Sequence, residues 1–92
     1  MARIDIHHLV WPDEVIDKVA SKHGLTVAEV EQAVLEDPHR QARWTNEKQQ
    51  EHGMRLKVIG QSWGSHRIIV AFLDPVDADE GVWRVRTAME VD

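Results

Sequence analysis

The spacing of apolar positions along this chain changes twice. In "RIDIHHLV" (3–10), Ile4 and Ile6 alternate with polar neighbours, the period of a short strand. From Pro12 the period lengthens. Val15, Ile16, Val19 and Ala20 fall on one helical face. Pro12 suits a first helical position, and Asp13, Glu14 and Asp17 suit the positive end of a helix. Gly24 is expected to end that helix by taking a left-handed conformation. Thr26 and Glu29 have capping-box spacing, so a second helix should follow, with Val27, Val30, Ala33 and Val34 as its apolar stripe. Pro38 stops it, because the residue before a proline avoids helical angles.

The period then shortens. "RQARWT" (40–45) predicts a strand, and the polar "NEKQQEHG" (46–53) a loop. "MRLKVIGQS" (54–62) alternates, "WGS" (63–65) is a hairpin turn, and "HRIIVAFL" (66–73) is almost continuously apolar. Such a run predicts a central strand covered on both faces. "DPVDADEG" (74–81) reads as a second turn and "VWRVRTAM" (82–89) as a last alternating strand. The order is strand, helix, helix, then three or four antiparallel strands. Early helices and late strands predict one α+β domain over residues 1–92, with both helices on one face of a mostly antiparallel sheet.

At 92 residues the chain can bury roughly 60–65% of its unfolded surface, enough for a thin core. No apolar run approaches the ~18 residues of a membrane span, and the N-terminus lacks the basic start and apolar run of a secretion signal. There is no cysteine, which excludes a disulfide framework or thiolate zinc site. A cytoplasmic protein with no membrane association is the expectation. The net charge of −5 is unevenly spread. Residues 1–39 carry eight acidic and three basic side chains, and residues 40–73 carry six basic and two acidic. Local field steers a ligand more than net charge does, so the basic middle matters.

Arg55 and Lys57 are two apart on one predicted strand, and Arg84 and Arg86 on another. Each pair projects from one sheet face. If the faces coincide, four cations gather on the side opposite the helices and form a phosphate-binding surface; the plain alternative is a solvated outer face. Lys22 and His23 end the first helix, where its dipole favours cations. His7 and His8 face opposite ways, and His39, His52 and His66 have no chelating spacing, so no metal and no cofactor are expected. Trp44 and Trp63 can stack on a base, bind a partner chain or pack at the core's rim. Asp74, Asp77, Asp79 and Glu80 read as a solvated acidic loop.

The runs "KVASKHGLTVAEVEQAVLEDPHR", "RLKVIGQSWGSHRIIVAFL" and "WRVRTAME" together resemble the BrnT-type toxins of bacterial type II toxin–antitoxin systems, within the RelE-like group of small ribonucleases. The matching residues are Lys22-His23-Gly24, Asp37-Pro38, Ile59-Gly60, His66-Arg67 and Arg84. The resemblance implies a RelE-like fold, metal-independent RNA cleavage, and a cognate antitoxin, typically a ribbon-helix-helix protein. Taken together with the paired cations on the strands, it points to Lys22, His23, Arg55 and Arg84 for the chemistry, and to Lys57, Arg67 and Arg86 for holding RNA. Met89 stands where the family pattern has arginine, and the basic helix that usually follows is absent from this sequence. Those departures motivate a second expectation: a non-catalytic RelE-like interaction module that forms a homodimer or a complex through its Trp44 and Trp63 region.

Overall fold

The computed structural model describes residues 4–45 and 55–91. The polar stretch 46–53, with His52, lies outside them. The described chain is α+β. A five-stranded sheet has the order β1-β5-β4-β3-β2, formed by β1 (His8–Val10), β2 (Gln41–Thr45), β3 (Arg55–Gln61), β4 (Ile68–Asp77) and β5 (Val82–Glu90). β1 runs parallel to β5, and the other pairings are antiparallel. Helices α1 (Asp13–His23) and α2 (Val27–Glu31) pack on one side.

The first strand is shorter than its alternation predicts. Ile6 is buried, yet the backbone before His8 is held by single contacts instead of a ladder. The amides of His7 and His8 donate to the Gly81 carbonyl at 2.8 and 3.0 Å. The Trp83 indole donates to the Asp5 carbonyl at 2.8 Å. A tightly satisfied non-strand segment can bury apolar side chains as well as a strand does.

Pro12 sits one position earlier than predicted, as the extended residue before α1. Val15 and Val19 face the core. Gly24 has φ +64°, the left-handed conformation expected of it, and its amide donates to the Ala20 carbonyl at 3.1 Å. Thr26 and Glu29 form the reciprocal capping box: the Glu29 amide donates to Thr26 Oγ1 and the Thr26 amide to Glu29 Oε1, both at 3.1 Å. The second helix does not run on regularly. Gln32–Glu36 is a π-helical turn. It lies directly on β3, where a Cβ on Gly60 would come within 2.0 Å of the Ala33 carbonyl oxygen. Gln32 Oε1 accepts from the buried Ser62 hydroxyl at 2.6 Å and the Gly64 amide at 3.0 Å. The turn is therefore widened where side-chain and backbone contacts seat it on the sheet.

Asp37 closes that turn. Its carboxylate accepts from the His39 amide at 2.9 Å and the Gln61 amide at 2.8 Å, tying helix end to strand end. These two bonds outweigh the opposing effect of burial, with help from the charges of His39 and Arg40, and hold Asp37 below its ordinary value.

Alternation sorts the sheet into two faces. Leu56, Val58 and Gly60 of β3, Ile69, Ala71 and Leu73 of β4, and Trp83, Val85 and Ala88 of β5 lie under the helices and are buried. Each large apolar side chain fully buried there contributes about 1.5–3 kcal/mol. On the other side of β4, Val70 is also buried, at 7% exposure, and Phe72 is half-buried, although among the described residues no helix lies over them. The expectation of a strand covered on both faces therefore holds at Val70 and not at Phe72. The acidic turn is also shorter than predicted: Asp74 to Asp77 continue β4, and a single 3-10 turn, Ala78–Glu80, leads into Gly81. Pro75 is tolerated because it pairs with Trp83 of β5, beyond the last described β3 partner of β4. The 63–65 turn spans 62–67, closed by the Ser62 amide on the Arg67 carbonyl at 2.9 Å.

Candidate nucleic-acid interface

The uncovered face has its own order, set by register. Lys57 pairs with Phe72, and Phe72 with Thr87. One step on, Ile59, Val70 and Met89 form an apolar row. In the other direction Asp74 pairs with Arg84, and Arg55 reaches it from β3. A bulge falls opposite the Phe72–Leu73 step, because Phe72 pairs with Thr87 and Leu73 with Val85. Arg86 is the extra residue, and a bulge re-aims the side chain it carries. Arg55, Lys57, Arg84 and Arg86 thus share the side opposite the helices, as the two-residue spacing requires if both strands present the same parity. At the neighbouring edge, Arg43 of β2 pairs with Lys57. Together with Gln41, Ala42 and Ile59 they line a shallow depression of about 270 Å³.

Asp74 sits among these cations. Its Oδ1 lies 3.4 Å from Arg55 Nε and its Oδ2 3.8 Å from Arg86 Nη1. The Arg55 Nε is buried and makes no hydrogen bond, so its contact with Asp74 is an ion pair of imperfect alignment. Two guanidinium groups are held in place by one carboxylate. Arg43, Lys57 and Arg84 form no ion pair among the described residues. The face therefore carries more positive charge than it neutralises, with one carboxylate inside it.

Lys22, His23 and Arg67 are placed apart from that cluster. Arg67, one residue before β4, donates from Nη1 to the Gly24 carbonyl at 2.8 Å. It also pairs with Glu29 at 3.5 Å and with Glu90 at 3.8 Å. Burial pushes Glu29 up, but hydrogen bonds from Ser65 and Thr26 and the Arg67 charge together bring it below its ordinary value. The Lys22-His23-Gly24 corner is thereby fastened to the start of β4. Asp74 is seven residues further, about 20 Å along an extended strand. Arg40 is likewise engaged, donating to the Leu35 carbonyl at 3.3 Å.

The tryptophans divide between core and rim. Trp83 is buried, and Trp44, 41% exposed on the helix side, tilts against it with ring centroids 5.5 Å apart. Trp63 is 65% exposed, and its indole donates to Glu36 Oε1 at 2.9 Å. Trp44 lies off the basic face because it and Arg43 have opposite parity on β2, and Trp63 sits in the 62–67 turn, tied to the end of the π-helical turn. Among the described residues no cluster of three or more His, Asp or Glu side chains is arranged to hold a metal ion, and no helix is long and apolar enough to cross a membrane.

No protein-family model matches this chain, and no curated protein matches its sequence.

Three members of the site are not apparent from local sequence. Asp74 reads as a turn residue, nothing local pairs Arg43 with Lys57, and Phe72 reads as part of a strand covered on both faces. Parity counted from Leu56 or Val58 places Arg43 once the β2–β3 register is known. No local signal identifies Asp74, since an Asp-Pro pair more often opens a turn.

Proposed function

We propose that the protein binds RNA on the open face of its sheet and cleaves it without a metal, as a ribonuclease toxin of the BrnT type with a RelE-like fold, neutralised by a cognate antitoxin. The observation that carries this reading is the gathering of Arg55, Lys57, Arg84 and Arg86 on one uncovered face around Asp74.

Cleavage of this kind uses the ribose 2′-hydroxyl as nucleophile. Asp74 accepts its proton while the 2′-oxygen forms a bond to phosphorus. Arg84 and Arg86 hold the charge that builds on the phosphorane oxygens, and Arg55 keeps Asp74 in position. The bond from phosphorus to the 5′-oxygen breaks, that oxygen takes a proton from water at the open face, and a 2′,3′-cyclic phosphate remains. Lys22 and His23, at the end of α1, take no part in this step. Removing one charged group that stabilises the transition state costs about 10²–10³-fold in rate.

The test is cleavage of total RNA in EDTA by the wild-type protein and Arg84→Ala, with product ends identified by mass. The expected result is cyclic-phosphate ends from the wild type and a loss of about two orders of magnitude in the variant. Absence of cleavage by the wild type, or equal cleavage by both, overturns the reading. A second reading, a non-catalytic interaction module, draws on the apolar half of the same face: Ile68 and Val91 are 47% and 42% exposed beside the Ile59–Val70–Met89 row. It predicts a dimer or heteromer by analytical ultracentrifugation, and a strictly monomeric protein without a partner refutes it.

A further inference from the structure

We infer that Phe72 is a base-stacking platform, and that the open face therefore takes single-stranded RNA in preference to duplex. This rests on the RNA-binding reading above and says which RNA the face admits.

The chain has one phenylalanine, four tryptophans and no tyrosine. The core of β4 is built from Ile69, Ala71 and Leu73. Phe72 lies between them in sequence but on the opposite face, only partly buried, at the middle of the central strand. Its surroundings are cationic. Lys57 is its partner on β3, and Thr87 its partner on β5. Arg86 bulges out beside Thr87, and Asp74 with its two arginines is the next residue of β4 on the same face. An apolar ring with a cation at hand on each neighbouring strand suits a nucleotide, whose flat base is apolar on its faces and whose phosphates are anionic.

The geometry also discriminates between kinds of RNA. In an A-form duplex the bases are stacked on one another, and a protein meets phosphates and 2′-hydroxyls. A ring on an open sheet can stack only on a base that is free of a duplex. The cations alone would hold either form, since phosphate contacts carry little structural preference. Preference for single strands must therefore come from the ring.

Fluorescence anisotropy at low salt tests this with a labelled 12-nucleotide RNA, its duplex, and inorganic polyphosphate as a polyanion without bases. Phe72→Leu keeps apolar bulk and removes the aromatic face; Phe72→Trp keeps an aromatic face. Leucine is expected to weaken single-strand binding roughly 5- to 100-fold, and to leave polyphosphate binding within about twofold. Tryptophan is expected to bind single strands at least as tightly as the wild type. If the wild type binds RNA but Phe72→Leu binds it equally well, or if duplex and single strand bind alike, the inference fails while the RNA-binding reading stands. If the wild type binds neither RNA nor polyphosphate, that reading fails and takes the inference with it.

Discussion

Replacing Gly60 with alanine should damage this fold far more than the addition of one methyl group suggests. The new Cβ would lie 2.0 Å from the Ala33 carbonyl oxygen, 2.8 Å from its carbon and 3.3 Å from its Cα. Ordinary contact begins near 3.4 Å, so the oxygen must retreat by about 1.4 Å. It belongs to backbone and has no rotamer to escape into. Moving it pulls Gln32 away from Ser62 and Gly64, and shifts Ala33 and Val34, which have no exposed surface. Overpacking of this sort costs about 1–3 kcal/mol, and loss of a hydrogen bond adds about 1 kcal/mol. The smaller entropy of the unfolded alanine chain returns roughly 0.4–1 kcal/mol. The net expectation is a loss of about 2–3 kcal/mol, or roughly 10–20 °C in melting temperature for a domain this size. Urea unfolding followed by tryptophan fluorescence measures it. Gly24→Ala is the control. It meets no atom within 4 Å but keeps a left-handed φ, so it should cost only about 1–2 kcal/mol. A Gly60→Ala protein within about 0.5 kcal/mol of wild type would refute the claim that the helix is pressed onto β3 at this point.

Three further outcomes are expected. Asp74→Asn removes the one carboxylate from the ring of cations, so polyanion binding should tighten while RNA cleavage falls about 100-fold; parallel loss of both, seen by anisotropy and a cleavage assay, would remove Asp74 from the chemistry. Arg67→Ala should lower stability by about 1–2 kcal/mol in urea, because the Gly24 carbonyl loses its donor and Glu29 its partner, and lysine should restore little of it since it lacks the forked geometry. Asp37 and Glu29 titrate below their ordinary values of 3.8 and 4.5, so the native state resists protonation more than the unfolded chain does. Their stabilisation is whole above those ordinary values and drains away as pH falls through the depressed ones. The urea midpoint should be level down to about pH 5.5 and fall below about 4.5, less steeply in Asp37→Asn; a midpoint that rises on acidification refutes this.

Much of the architecture was legible because its signals are local. Gly24 must take a left-handed turn, Thr26 and Glu29 cap each other across three residues, and Asp37-Pro38 ends a helix whatever surrounds it. Alternation in 54–62 and 82–89 names the faces of two strands before their partners are known, which is why the shared side of Arg55, Lys57, Arg84 and Arg86 could be anticipated. What could not be read depends on partners far along the chain. His8–Val10 joins β5 in parallel, the Arg86 bulge exists only against Phe72 and Leu73, and Arg67 turns toward Gly24 and away from the basic face. Asp74 looks like a turn residue until β4 extends through it, and Phe72 looks fully covered until the described helices are all found on the other face. A side chain's face follows from the geometry of its own backbone, but its neighbours follow from register and from competition among distant partners, and those are settled only when the whole sheet has closed over its core.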